Sequence, residues 1–377
     1  MVREIFDLPS ILQAAADAEE TNDFWGTEYR EALEVLVPSM ADEAGLYPAR
    51  AWRVVRSMLE VLGMRANIAK WLRAHSEARL PAIRRPIFIT GLPRTGTTML
   101  HNLLAGLPGH RGFTPWQMQF VVPPQDADEN WEEDAIRDTD QEIRALYERA
   151  PEFAKIHPIH VQAPDECHWL MRTTCSSLFF SYLMYTPSYA RWLSREPRHR
   201  AYHEYRVMLQ ILRTRYGDGR LVMKDPAHLW HIDEMLDTFA DALIVRLHRD
   251  PREVVPSFCS LMFALQRMDS TRVDSRDVGP YALEMLEIGM KREERVRSRR
   301  GGESFFDVDY RDLVRDPEQI VAQICSRAGE EFGEEHRASV RHWLASHPQH
   351  KAGKHVYSAE QFGLNPAQLV ERLGERG

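Results

Sequence analysis

Pro86-Ile87-Phe88-Ile89-Thr90-Gly91-Leu92-Pro93-Arg94-Thr95-Gly96-Thr97-Thr98 is the stretch on which the reading of this chain turns. Ile87-Phe88-Ile89 is a short apolar run of the kind that forms a buried strand. After it come Gly91, Gly96 and the adjacent Thr97 and Thr98, then Met99, Leu100, Leu103 and Leu104, spaced to lay one apolar stripe along a helix. Strand, glycine loop and helix together make a phosphate-binding arrangement. Glycine lets the backbone turn close to a ligand, and the first N–H groups of the helix point outward with the positive end of its dipole. Against a Walker A loop, G-x-x-x-x-G-K-[ST], both glycines and Thr98 are in place, but Thr97 stands where the lysine belongs. The cation is instead Arg94, able to fork onto two oxygens at once. A nucleoside-triphosphatase reading is weakened accordingly.

Further along, Leu221-Val222-Met223, Leu243-Ile244-Val245 and Phe305-Phe306 repeat the short apolar rhythm, with helical patterns between or after them. That alternation predicts an α/β fold with a central parallel sheet flanked by helices. From Ser10 to about Leu80 the apolar positions recur at helical spacing, for example Ala51, Val54, Val55, Met58, Leu59 and Leu62. We therefore divide the chain into a helical N-terminal region, 1–85, packed on a catalytic domain, 86–377. About 130 residues separate the first two strands, too many for one crossover helix. A helical insertion over about 112–215 accounts for them, with an acidic helix near Glu132 to Arg149 and an aromatic-rich part from Phe179 to Trp192. The charge run Lys291 to Arg300 reads as the solvated end of a helix.

Two strand ends carry cations. The second strand runs into Lys224-Asp225-Pro226-Ala227-His228, and the chain has only six lysines. Ligands of open parallel sheets sit beyond the carboxyl ends of the strands, so Lys224 and the glycine loop are expected to face one pocket. The third strand continues as Arg246-Leu247-His248-Arg249-Asp250-Pro251, with Ser257 on the helix that Pro251 starts. Residues eight apart on a helix project roughly 80° from each other, so a shared anion requires Arg249 to fold back.

The 377 residues are 44% apolar and 28% charged, with 20 Gly and 22 Pro, which excludes disorder, collagen and coiled coil. A formal charge of −8 argues against nucleic-acid binding through a bulk positive field. No run approaches the roughly 18 apolar residues of a membrane helix, and MVREIFDLPS places charges where a signal peptide is apolar, so a cytoplasmic protein is expected. Cys167, Cys175, Cys259 and Cys325 form no CxxC and read as buried small hydrophobes; no metal site is expected.

The loop is similar to the 5′-phosphosulfate-binding loop of sulfotransferases that use 3′-phosphoadenosine 5′-phosphosulfate (PAPS), in which Pro-Lys/Arg-Ser/Thr-Gly-Thr-Thr follows the first strand. Pro93, Arg94, Thr95, Gly96, Thr97 and Thr98 match it throughout. Arg249-Asp-Pro with Ser257 eight residues on resembles that family's 3′-phosphate-binding strand and helix. Lys224-x-Pro-x-His228 resembles the bacterial branch, which often has Ser where this chain has Asp225. Lys351-Ala352-Gly353-Lys354-His355, followed by Phe362-Gly363-Leu364, resembles the terminal loop that closes over the nucleotide, although a solvated loop would look the same. The resemblance covers residues 86 to about 365. It implies a P-loop NTPase-like sulfotransferase fold, PAPS as co-substrate with PAP (adenosine 3′,5′-bisphosphate) as product, and nucleotide contacts from Pro93 to Thr98, Arg249, Ser257, Lys351, Gly353, Lys354 and His355.

Sulfuryl transfer to a hydroxyl or amine is an in-line displacement with a loose transition state, by analogy with phosphoryl transfer, so positioned donors dominate. Arg94 and Lys224 supply them here, and no metal is required. The base that takes the acceptor's proton is expected to be His228, with Glu166 in Pro164-Asp165-Glu166-Cys167-His168 as the alternative. Trp116, Phe120, Trp169, Phe179, Phe180, Tyr182, Tyr185 and Trp192 offer walls for a small aromatic or lipidic acceptor. The competing readings are a P-loop kinase or hydrolase of another nucleotide and a catalytically silent nucleotide-binding module. A homo-oligomer is compatible with all three.

Overall fold

The computed structural model describes residues 2–77, 79–195, 197–347, 357–375 and 377. Its centre is a five-stranded, wholly parallel sheet in the order β2-β3-β1-β4-β5, with β1 Ile87–Gly91, β2 His110–Arg111, β3 Arg220–Lys224, β4 Leu243–His248 and β5 Phe305–Asp309. The four apolar runs are all strands. β2 is an additional edge strand of two residues, pairing His110 with Arg220 and Arg111 with Leu221. Neither residue is apolar, so no hydrophobic run announces it.

β1 is buried along its whole length. Ile87 and Ile89 face a cluster with Leu100, Leu104, Val245, Val321 and Ile324, while Phe88 faces the other way onto Met223, Tyr205, Phe239 and Ile244. This is the two-residue alternation of a strand covered on both faces. The chain passes from β1 to β3 on one side and then to β4 on the other, so the order reverses at β1. A crevice at the carboxyl ends of the strands follows from that switch.

The N-terminal region forms the helices Leu8–Glu19, Glu28–Asp42 and Pro48–Ala74. Leu36, Val55 and Leu62 belong to the same continuous core as Phe88, Met223 and Trp230. Between β2 and β3 lie seven helical segments and a 3-10 turn, among them the acidic helix Trp131–Arg149. Of the described residues, no helix is long and apolar enough to cross a membrane.

The charge run Lys291 to Arg300 is less solvated than its composition implies. It ends the helix Ser275–Arg300, where Glu293 is buried 2.7 Å from the equally buried Arg246 of β4, and Arg297 pairs with Asp307 at 2.8 Å. All four cysteines are free and buried.

Candidate active site

Gly91 ends β1 at φ 141°, where an added Cβ would stand 2.6 Å from the Leu247 carbonyl oxygen. Gly96, at φ 91°, caps the helix Thr97–Ala105 and lies so close to the Tyr310 ring that a Cβ would stand 2.8 Å from it. Only glycine satisfies both positions. Between them Arg94 takes φ 72°, a left-handed conformation that costs an arginine about 1 kcal/mol or more. The surrounding contacts hold it there. Its Nε donates to Ser257 Oγ at 3.2 Å, its carbonyl accepts from Arg249 Nη1 at 3.0 Å, and Thr95 Oγ1 ties the turn to the Leu92 carbonyl at 2.8 Å.

Arg249 therefore does fold back from the end of β4. It also pairs with Glu253 at 2.6 Å and stacks over the Tyr310 ring at 4.2 Å. Burial draws the pKa of Arg94 below its ordinary value, and the Arg249 charge adds to the effect.

Lys224, at the end of β3, is fully buried. Its Nζ donates to Glu166 Oε1 at 2.7 Å, lies 3.8 Å from Asp165 Oδ1, and reaches Thr98 Oγ1 of the glycine-loop helix at 3.5 Å. The other oxygen of Glu166 meets His168 Nδ1 at 3.0 Å. Burial alone would raise the pKa of Glu166, but the Lys224 ammonium and the His168 bond hold it well below the usual carboxylate range. The carboxylates in turn overcome the burial penalty and raise the pKa of both Lys224 and His168. Asp225, buried beside the group, is pushed up to about 7 by desolvation and by the Glu166 charge. Its side chain caps the following turn by accepting from Ala227 N at 2.8 Å. Glu166, His168 and Asp225 bring three ligand-type atoms within 4.8 Å of one another, but the Lys224 ammonium already holds an oxygen of Glu166.

His228 lies elsewhere. Asp225 and Pro226 start a 3-10 turn, Pro226–His231, that carries the imidazole inward. There it is enclosed by Phe88, Tyr202 and Tyr205, with ring centroids 5.5 to 5.7 Å away, and its Nδ1 bonds the Tyr202 hydroxyl at 2.8 Å. Desolvation drives its pKa down to about 3, and it is not among the residues lining the cavity.

That cavity has a volume of about 460 Å³, within the range of small-molecule sites. One end is lined by Pro93, Arg94, Gly96, Thr97, Thr98, Arg249 and Tyr310, the middle by Glu166 and His168. The other end is a chamber of apolar side chains that also carries Arg53, Arg56, Glu60, Glu142, Arg172 and Asp269. Of the aromatic residues expected around an acceptor, Trp169, Phe179, Phe180 and Tyr182 line it, whereas Trp116, Phe120, Tyr185 and Trp192 do not. Met40, Val54 and Met58 of the N-terminal helices complete it, with Phe153, Leu261 and Leu265. Lys351, Gly353, Lys354 and His355 lie outside the described residues.

Sequence reasoning missed His168, Tyr310 and the contribution of the N-terminal helices. A signal existed for the first two: His168 is two residues from Glu166, and Tyr310 directly follows a strand end.

The model of the Sulfotransferase family matches residues 86–334, about two thirds of the chain and all of the sheet. The chain belongs to this family. Among solved structures, this sulfotransferase superposes on STF1 of Mycobacterium tuberculosis H37Rv with a TM-score of 0.83 and 31% identity, covering 97% of this chain and 98% of that one. STF9 of Mycobacterium avium gives the same TM-score at 27% identity, over 98% and 95% of the two chains. The omega-hydroxy-beta-dihydromenaquinone-9 sulfotransferases Stf3 of Mycobacterium tuberculosis and Mycobacterium bovis are 26% identical over 306 residues, 77% of this chain and 75% of theirs. The protein is accordingly an enzyme that moves a sulfuryl group from PAPS to an acceptor hydroxyl.

Proposed function

We infer that the two ends of the cavity receive the two substrates and that Glu166 and Lys224 work where they meet. In this reading the P-loop-like turn Pro93 to Thr98 holds the 5′-phosphosulfate with its amides, hydroxyls and Arg94, and Arg249 with Ser257 holds the 3′-phosphate. The acceptor lies in the apolar chamber with its hydroxyl toward Glu166.

The acceptor oxygen attacks sulfur in line. The bond from sulfur to the bridging oxygen breaks, its electron pair stays on the 5′-phosphate of PAP, and the acceptor's proton passes to Glu166 Oε. Lys224 serves both partners, orienting Glu166 at 2.7 Å and lying 3.5 Å from Thr98, beside the phosphate that gains charge. A carboxylate of low basicity suffices. In a loose transition state the attacking hydroxyl loses its proton late, once the new S–O bond has made it strongly acidic. His168, bonded to the second oxygen, fixes the carboxylate's orientation.

One observation carries this assignment: Glu166 lines the cavity within reach of the lysine that touches the glycine-loop helix, whereas His228 does not line it and bonds Tyr202 in the core. A hydroxyl on an apolar body suits the chamber, and the Stf3 relatives are named for a hydroxylated acceptor. No step needs a metal, and four buried free thiols suit the reducing cytoplasm. Incubation with ³⁵S-labelled PAPS in EDTA and a panel of phenols and long-chain alcohols tests the reading. Labelled ester and PAP in equal amounts are expected; transfer that requires added Mg²⁺ would contradict it.

A further inference from the structure

One guanidinium in the wall of the cavity is bonded by no side chain or carbonyl among the described residues. Arg172 follows the short helix His168–Met171, and its guanidinium lines the cavity 5.1 Å from the Trp169 ring centroid and 5.9 Å from that of Phe179. Among the described residues its side chain makes no hydrogen bond and no ion pair. Other cations of the lining have partners: Arg53 sits 2.6 Å from Asp269, and Arg56 lies 3.6 Å from Glu60. Arg149 lacks one but is exposed, where water serves. The charges of Glu142 and Glu60 favour the guanidinium without bonding it; Glu142 accepts from Gln119, and Glu60 lies 3.6 Å from Arg56.

Arg172 is half-buried against aromatic rings with its donors open to the cavity, where a bound anion would replace the water they hold. Burial lowers its pKa from the ordinary value, yet a guanidinium stays charged at any physiological pH. The guanidinium lies near both the Trp169 and Phe179 rings, and a guanidinium's fork of N–H donors can grip a carboxylate with two bonds.

Resting on the reading that the chamber receives the acceptor, we propose that Arg172 is a specificity-determining residue that selects a hydroxy acid, an acceptor with its reacting hydroxyl at Glu166 and a carboxylate at its far end. An aromatic spacer between hydroxyl and carboxylate suits the Trp169 and Phe179 rings that stand beside Arg172.

The test uses three matched probes: 3-(4-hydroxyphenyl)propanoate, its methyl ester and tyramine. Turnover with PAPS is measured as kcat/KM, and binding to the PAP-loaded protein is measured in parallel by calorimetry, in the wild type, Arg172→Gln and Arg172→Lys. A charge-assisted bidentate contact predicts that the wild type favours the acid over the ester by about tenfold or more. That ratio should fall to near one in Arg172→Gln and return in large part in Arg172→Lys, whatever each substitution does to absolute activity. Equal treatment of acid and ester by the wild type overturns the proposal, as does a ratio that survives in Arg172→Gln. A preference for tyramine also overturns it, by assigning this end of the chamber to Glu60 and Glu142. If no probe is sulfated but calorimetry shows the Arg172-dependent preference for the acid, the anion site stands and the acceptor reading of the chamber falls.

Discussion

The two ends of the cavity are built in opposite ways. The end we assign to the nucleotide comes from short, contiguous pieces of chain at the ends of β1, β4 and β5, and its donors are backbone amides, threonines and arginines held by one another: Arg94 by Ser257 and Arg249, Arg249 by Glu253 and Tyr310. The end we assign to the acceptor is assembled from single side chains contributed by positions as far apart as Met40, Phe153, Phe180 and Leu265. A site for a fixed anion can be fixed by a local motif. A site for an apolar body needs only surface of the right shape, which many parts of a chain can supply.

Between them stands the Lys224–Glu166–His168 chain, and substitutions there separate the two ends most sharply. Glu166→Gln keeps the shape and removes the charge. The turnover number is expected to fall roughly 10²- to 10⁴-fold, while calorimetric affinity for PAP stays within about threefold. A comparable loss of PAP affinity would move Glu166 from the proton to the nucleotide.

Arg249→Ala probes the nucleotide end alone. It should weaken PAP binding by roughly ten- to a hundredfold relative to AMP, because only PAP carries the 3′-phosphate. Equal losses for both nucleotides would remove that contact.

Asp225→Asn tests the electrostatics of the joint. A carboxyl whose pKa rises from 3.8 in the free state to about 7 in the fold favours the folded state when protonated, and that contribution is lost as pH rises through 7. Asparagine keeps the cap on Ala227 without the charge. The variant should therefore melt above the wild type at pH 8 by a few degrees and show little gain at pH 4, below the free carboxyl's range. A gain independent of pH would mean that desolvation and the Glu166 charge do not act on Asp225 as described.

The smallest effect on turnover is expected from His228→Phe. The rate should change by no more than about threefold, while the melting temperature drops because the Tyr202 hydroxyl loses its partner, at about 1–3 kcal/mol. A hundredfold loss of rate would return the base role to His228.

These contrasts also explain what could be read from the sequence. The strands β1, β3, β4 and β5 and the helical N-terminal region were legible because sheets covered on both faces impose apolar runs and amphipathic helices impose a 3.6-residue period. β2 was not, because two polar residues pairing at an edge leave no pattern. Strand ends alone could put Lys224 and the loop of Arg94 at one pocket, whereas Arg249 and Ser257 were joined to it by the family resemblance. His228 could not be placed. Whether its ring faces the crevice or the core depends on the 3-10 turn that Asp225 caps and on Tyr202 of a distant helix. The left-handed backbone of Arg94 and the unpaired state of Arg172 are likewise properties of tertiary surroundings, invisible in spacing.

Crystals grown with PAP test the central claim most directly. The account predicts nucleotide density with the 5′-phosphate against the amides of Gly96 to Thr98 and within reach of Lys224, and the 3′-phosphate against Arg249 and Ser257, leaving the aromatic chamber free. Density for the nucleotide inside that chamber, or away from the turn after β1, would contradict it.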